Sequence, residues 1–149
     1  MKYLLILFIL ISSYSIKAEE FNPKEHLGLF ELLFINDSQY IVNGERATNI
    51  NETRKTYIHQ GQFEIRRKDG KPVDKKKIIE SIIKDLSKFL KKDLKIGDEE
   101  IAKYKTKATI DKYLAIARVN LRTTKPGVLN IHFSLSLNEI PDDPSKKTP

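Results

Sequence analysis

The sequence predicts an α+β fold in which an antiparallel sheet of two or three hairpins carries one long amphipathic helix, about residues 75–92, packed on one face. Two segments near the C-terminus alternate apolar and polar residues, which is typical of half-buried strands. One segment in the middle repeats apolar residues at helical spacing. Turn residues separate these segments and no strand–helix–strand repeat is found in the sequence, so a parallel sheet is not expected.

An apolar run at 28–35 (GLFELLFI) has the length of a strand. The Asn-Asp-Ser sequence at 36–38 favours a turn, and residues 39–42 offer a second short strand. We therefore expect a hairpin here. A short buried helix over 26–35 is the alternative, because periodicity does not separate the two for a run of this length. The polar residues 45–53 are expected to form a loop.

A second strand pair is predicted at 55–59 and 62–67, with the Gln-Gly sequence at 60–61 as the turn between them. The second of these strands alternates apolar and polar residues with a period of two. The segment 68–72 (KDGKP) has the residues of a turn and ends the pair.

The segment from about 75 to 92 predicts the main helix, because its apolar residues fall within an arc of about 140°. These residues are Ile78, Ile79, Ile82, Ile83, Leu86, Phe89 and Leu90. Asp74 is a good N-cap, since its carboxylate can accept hydrogen bonds from the free amides of the first turn. The face opposite the apolar residues is rich in lysine: Lys77, Lys84, Lys88 and Lys91.

A short helix with acidic residues at its start is expected over 98–104. The clearest strands follow at 113–122 and 128–138, and the Pro-Gly sequence at 126–127 suits the turn between them. The polar face of the last strand carries few charges and includes Asn130, His132 and Ser134.

Residues 1–18 predict a secretory signal peptide, with Lys2 before an apolar run and Ala18 before two glutamates. The apolar run is too short to span a membrane. Cleavage is expected after Ala18, with Ser15 as the competing position. The predicted organisation is a signal peptide (1–18), a single α+β domain (19–140) and a disordered tail (141–149), with no transmembrane span after signal removal.

The composition indicates the cellular compartment and the kind of partner. The chain of 149 residues has no cysteine, so the exported domain is expected to fold without disulfides, which fits a bacterial periplasm. The net charge is +7, and residues 54–112 hold 18 basic and 10 acidic side chains. A basic block of this kind indicates an anionic partner, and a lysine-rich surface that favours solubility is the alternative.

The sequence contains no recognisable catalytic, cofactor or metal motif. None of the three histidines lies at metal-ligand spacing from another. The glycines are scattered and form no phosphate loop. We therefore expect no catalytic residues, no cofactor-binding residues, no metal ligands and no enzymatic activity.

The expected function is that of an exported, non-enzymatic interaction or accessory protein of the periplasm, cell envelope or secreted fraction. Its partner is expected to be another envelope or secreted protein, with an anionic surface as the alternative. Nucleic acid is not expected, because export removes the chain from it, although basic residues and two tyrosines offer a possible stacking face. The candidate contact surface consists of Lys77, Lys84, Lys88, Lys91, Asn130, His132 and Ser134.

Two alternative functions remain open at this point. The first is a small-ligand-binding protein with its site between sheet and helix, lined by residues such as Phe63, Ile65, Phe133 and Leu135. The second is an envelope hydrolase without a recognisable motif, for which carboxylates from distant parts of the chain would have to meet in one cleft.

Overall fold

A computed structural model of the chain describes residues 20–97 and 101–142. Its elements are α1 (Pro23–Gly28), a 3-10 helix (Leu33–Asn36), β1 (Tyr40–Asn51), β2 (Thr56–Arg67), α2 (Lys75–Leu90), β3 (Lys103–Ile110), β4 (Tyr113–Lys125) and β5 (Val128–Glu139). The predicted signal peptide at 1–18 lies outside the described residues, as does most of the predicted tail. Within the described ranges, no helix is long and apolar enough to cross a membrane.

The five strands form one antiparallel sheet in the order β1-β2-β5-β4-β3. One face of this sheet, called here the inner face, points towards the helices. Its central side chains are buried: Tyr57, Phe63, Ile65, Tyr104, Tyr113, Ala115, Ala117, Val119, Leu121, Leu129, Ile131, Phe133, Leu135 and Leu137. They form one apolar cluster with the buried side chains of α1, α2 and the segment between α1 and β1. The core therefore lies between the inner face and the helical layer.

The predicted fold class, two or three hairpins covered by one long helix at about 75–92, is wrong. The molecule is mostly a five-stranded sheet, and its helices are short. Three separate pieces cover the inner face: α1 with 6 residues, the 3-10 helix with 4 and α2 with 16. α2 covers part of the inner face, and Phe30, Leu32 and Phe34 of the segment before β1 also belong to the core cluster.

The segment 28–35 is not a strand. It leaves α1, enters the 3-10 helix and pairs with no strand of the described sheet. Its side chains nevertheless alternate, with Phe30, Leu32 and Phe34 buried and the residues between them exposed. The Phe30 ring stacks on Phe133 with centroids 5.1 Å apart. The apolar alternation therefore reflects a segment that lies across the sheet instead of within it.

The predictions for β1 and β2 also need correction. Residues 45–51, expected as loop, belong to β1, a strand of 12 residues. Gln60 and Gly61, expected as a turn, lie in the middle of β2, which runs unbroken over 12 residues. The turn between the two strands occurs at 52–55 instead, where Lys55 takes a left-handed conformation with φ 52°.

The start of α2 is confirmed. Asp74 accepts hydrogen bonds from the amides of Lys76 and Lys77 at 3.0 and 3.4 Å, which satisfies two free donors of the first turn. The helix ends at Leu90, two residues before the predicted end, because Lys91 turns into the left-handed region with φ 51°.

The C-terminal hairpin is also confirmed. β4 and β5 pair along most of their length, and Gly127 has the φ of 76° that a type II turn requires after Pro126. Tyr104, expected in a short helix, lies in β3 instead. Residues 98–100, where that helix was predicted to start, lie outside the described residues.

Candidate binding face

The second face of the sheet, called here the outer face, points away from the helices and is open to solvent. Strand geometry places alternate side chains on opposite faces, so the neighbours of the buried residues lie here. Gln60, Gln62 and His132 are exposed, whereas Phe63 and Phe133 beside them in the sequence are buried. No helix of the described chain covers the outer face, so its side chains are accessible to a partner or ligand.

Eight residues of the outer face line a shallow depression, called here the polar groove: Glu45, Ala47, Gln60, Gln62, Arg118, Asn120, His132 and Ser134. Strand register brings them together. Gln62 pairs with His132, which pairs with Asn120, to form one row across three strands. Gln60, Ser134 and Arg118 form the next row. The groove has a volume of about 420 Å³. Amide, hydroxyl and imidazole groups line it, so it can both donate and accept hydrogen bonds.

Beside the groove lies a row of cations, called here the basic strip: Lys103, Lys105, Lys107, Arg118 and Arg122. The lysines alternate along β3, and Lys105 lies directly opposite Arg118 on β4. All five side chains are exposed. The two ion pairs found among the described residues, Lys24–Glu52 and Arg67–Asp69, involve none of them. Like charges directly opposite each other destabilise a sheet, and a bound anion would relieve this repulsion.

The two edges of the sheet differ in chemistry. The β3 edge carries three lysines in eight residues, a common device against unwanted strand pairing. The β1 edge has 12 residues with neither lysine nor proline, and its second half is exposed on both faces. The β1 edge therefore lacks two of the features that usually prevent the addition of another strand, lysine and proline, and its charged residues are Glu45 and Arg46.

Hydrogen bonding shows which groups of β1 face outwards. The Lys68 amide donates to the Gln39 carbonyl at 2.9 Å, which marks this pair as hydrogen-bonded. Such pairs alternate along an antiparallel ladder. The odd-numbered residues of β1 therefore bond to β2. The even-numbered residues point their N–H and C=O groups to the free edge: Val42, Gly44, Arg46, Thr48 and Ile50.

The predicted contact residues fall on two sides of the molecule. Asn130, His132 and Ser134 share the outer face, as alternation predicted, and two of them line the groove. Lys77, Lys84 and Lys88 are exposed on α2, whose apolar side packs on the inner face, and Lys91 is exposed directly after the helix. The two sets therefore do not form one surface.

Several residues of this face were missed at the level of sequence. The alternation in β4 already placed Arg118 and Asn120 together on a polar face. Which side chains of β2 and β3 lie beside them depends on strand order and register, which no local pattern encodes.

Tyr57 and Tyr113, the two aromatic residues considered for base stacking, are 5% and 4% exposed in the core. They pack edge to face with centroids 6.0 Å apart. Neither side chain reaches the outer face, where Arg66, Arg118 and Arg122 lie. The combination of aromatic and basic side chains that binds single strands is therefore not assembled on this face.

The region between sheet and helices, where a ligand site was predicted, is filled by the chain itself. Phe63, Ile65, Phe133 and Leu135 are all buried in the core cluster. Phe30 stacks on Phe133, and Phe34 packs edge to face on Phe63 at 5.8 Å. These side chains occupy the space that a ligand would need.

His59 on β2 is a buried titratable group. The His59 Nδ1 atom lies 3.0 Å from the Thr48 hydroxyl, and burial, together with the charge of Arg46, lowers the pKa of His59. A neutral ring is the form that such a site favours. Among the described residues, no three His, Asp or Glu side chains lie close enough to hold a metal ion.

Asp85 on α2 holds the segment before β1 in place. Its buried carboxylate accepts a hydrogen bond from the Leu33 amide at 3.0 Å, at the start of the 3-10 helix. Burial raises the pKa of Asp85, and the hydrogen bond from Leu33 opposes that shift. The carboxylate therefore anchors a backbone amide but is poorly solvated in its charged form.

Two substitutions separate the hydrogen bond that Asp85 accepts from the cost of burying its charge. We expect Asp85→Ala to lower the free energy of unfolding by about 1–3 kcal/mol at pH 7, because the Leu33 amide loses its acceptor. Asp85→Asn keeps an acceptor oxygen and removes the buried charge, so its stability at pH 7 should equal or exceed that of the wild type.

The pH dependence of the free energy of unfolding follows from the same raised pKa of Asp85. A pKa raised in the folded state means that the wild type loses stability as pH rises through that pKa, and gains it on acidification. Any advantage of Asp85→Asn should therefore shrink as pH falls. Urea unfolding at pH 7 and at about pH 3, below the usual pKa values of Asp and Glu, measures both effects. Equal losses for the two variants at pH 7 would contradict this role of the carboxylate.

Comparison with protein-family models, with curated proteins and with solved structures finds no match to this chain. Its function is therefore inferred from the chemistry of the sheet edge and the outer face.

Proposed function

We propose that this chain is an exported interaction protein, not an enzyme, and that it binds another envelope or secreted protein by adding a strand of that protein to the free edge of β1. The contrast between the two sheet edges carries the proposal. The β3 edge is protected by Lys103, Lys105 and Lys107, whereas the longer β1 edge carries no lysine or proline. Backbone hydrogen bonds along such an edge supply affinity without a conserved side-chain motif.

Arg46 gives a precise way to test the edge. Its amide points away from β2, so proline at this position removes a donor from the free edge and leaves the β1–β2 ladder intact. Arg46 is exposed, and proline is tolerated on edge strands in this orientation. The matched control is Arg46→Ala, which removes the same side chain and keeps the amide.

The experiment places a photoreactive amino acid at Ala47 and crosslinks in the cells that produce the protein. We expect a discrete adduct with the wild-type edge and with Arg46→Ala, and at least a tenfold weaker adduct with Arg46→Pro. The same probe at Lys107, on the protected edge, should give no such adduct. An adduct that survives Arg46→Pro, or no adduct at Ala47, would refute strand addition. Circular dichroism checks that each variant is folded.

Export has its own test. The full chain with a C-terminal tag should be recovered outside the cytoplasm with a new N-terminus, Glu19 after cleavage at Ala18 or Ile16 after cleavage at Ser15. N-terminal sequencing of the fractionated protein measures this. An uncleaved chain in the cytoplasm would contradict export and leave the strand-addition test unaffected.

A further inference from the structure

We propose that the polar groove and the basic strip together bind an anionic polysaccharide, one whose sugar units carry carboxylate or sulfate groups. The side chains of this site lie mainly on β2, β5, β4 and β3, and residues 45–47 of β1 also line the groove. The strand addition proposed for β1 uses the backbone of its free edge instead of these side chains. The chemistry of the two parts identifies the ligand class, because one part suits anionic groups and the other suits hydroxyl groups.

The repeated positive charges of the basic strip favour a ligand with several negative charges. Alternate residues of a strand lie about 7 Å apart, so Lys103, Lys105 and Lys107 present cations at that repeat. Arg118 lies opposite the middle lysine and extends the charge into the groove. Among the residues that line the groove, Glu45 is the one acidic side chain. It lies on β1, three strands from Arg118 and about 14 Å away by strand spacing, beyond a Debye length at physiological salt.

The polar lining of the groove favours a ligand that carries hydroxyl groups. Its neutral side chains offer amide, imidazole and hydroxyl groups in two adjacent rows across β2, β5 and β4. Its volume of about 420 Å³ falls within the range of small-ligand sites. A sugar ring presents several hydroxyls in different directions, and the mixture of donors and acceptors here can satisfy them.

The same face disfavours other polyanions. Single-stranded nucleic acid needs aromatic side chains for stacking, and Tyr57 and Tyr113 are buried in the core. An acidic protein needs apolar or aromatic anchors, and Ala47 is the largest apolar side chain that the outer face contributes to the groove. The nearest larger apolar side chains on this face, Ile58 and Ile116, are half-buried and lie in the next row of the sheet. Phe133, which borders the groove, turns its ring into the core.

The test measures affinity by titration calorimetry with three probes of similar length: a sulfated oligosaccharide, a carboxylated oligogalacturonate and inorganic polyphosphate. A neutral dextran is the uncharged control. We expect at least one of the anionic saccharides to bind more tightly than polyphosphate, and dextran not to bind. The double variant Lys105→Gln/Arg118→Gln should reduce saccharide affinity at least tenfold. The matched control Lys84→Gln/Lys88→Gln removes the same charge from α2 and should change it less than twofold.

A second variant separates sugar recognition from simple charge. His132→Ala should weaken saccharide binding at least threefold and leave polyphosphate binding unchanged, since only the sugar uses the groove. The proposal is overturned if neither saccharide binds, if the α2 variant loses as much affinity as the sheet variant, or if polyphosphate binds as tightly as the saccharides.

Discussion

Replacing Phe133 by alanine will lower the free energy of unfolding by about 3–5 kcal/mol. Phe133 lies at the centre of the sheet, on β5, and is 3% exposed. Its ring stacks on Phe30, which belongs to the helical layer, so the pair joins the two layers of the molecule. Removal of the ring leaves a cavity at this junction, and the rigid strands on both sides prevent its collapse.

Chemical unfolding in urea measures this effect as a lower midpoint with an unchanged slope. Phe89→Ala is the matched control, because Phe89 also contacts Phe30 but is only partly buried. Its loss should be smaller by at least about 1 kcal/mol, in proportion to the smaller area it removes from water. Equal losses for the two variants would mean that the Phe30–Phe133 contact is not the junction described here.

Replacing Gly61 by alanine will lower the free energy of unfolding by about 1–3 kcal/mol. The Phe63 ring lies across this glycine, so a Cβ atom would stand 2.6 Å from its Cε2 atom and 2.9 Å from Cζ. Phe63 is buried and packs on Phe34, so the ring cannot move aside freely. This clash outweighs the gain of about 0.4–1 kcal/mol that alanine usually brings by restricting the unfolded chain.

Gly28→Ala is the control for Gly61→Ala. An added Cβ there meets no atom within 4 Å, so the entropic gain should be all that remains, and stability should rise slightly or stay constant. The double variant Gly61→Ala/Phe63→Leu should recover part of the loss, because the smaller side chain clears the site. If Gly61→Ala is as harmless as Gly28→Ala, the ring does not pack on the strand as described.

The elements that could be predicted from sequence are those buried on one side only. β4 and β5 pack their inner face on the helical layer and leave the outer face in water, so apolar and polar residues alternate without a break. α2 shows the helical version of the same pattern, with Asp74 as its N-cap. In each case, burial on one side gives the apolar residues the spacing of a strand or of a helix.

The first half of the sheet breaks this rule. Over its second half, β1 is exposed on both faces, because the helical layer does not extend over it, so residues 45–51 carry no apolar period. β2 holds Gly61 at its centre because a neighbouring ring needs the space, although a glycine of this kind usually indicates a turn. The segment 28–35 alternates like a strand while it lies across the sheet. Each error arises from a tertiary contact that no local pattern contains.

The candidate site could likewise be predicted from the sequence only in part. Alternation alone places Asn130, His132 and Ser134 on one face. The groove forms only when β2 and β4 align on either side of β5, and β5 lies more than sixty residues after β2 in the chain. The basic strip likewise requires β3 to pair with β4. The lysines of α2, though conspicuous in the sequence, lie on the other side of the molecule.

The unequal edges of the sheet have a consequence for the size of any assembly. A protein with two open edges can polymerise, because each added subunit exposes a new site of attachment. If a partner strand adds at β1 as proposed, each molecule offers one place for it, because the lysines of β3 disfavour pairing at the other edge. Complexes formed by such strand addition would then be finite and of fixed stoichiometry.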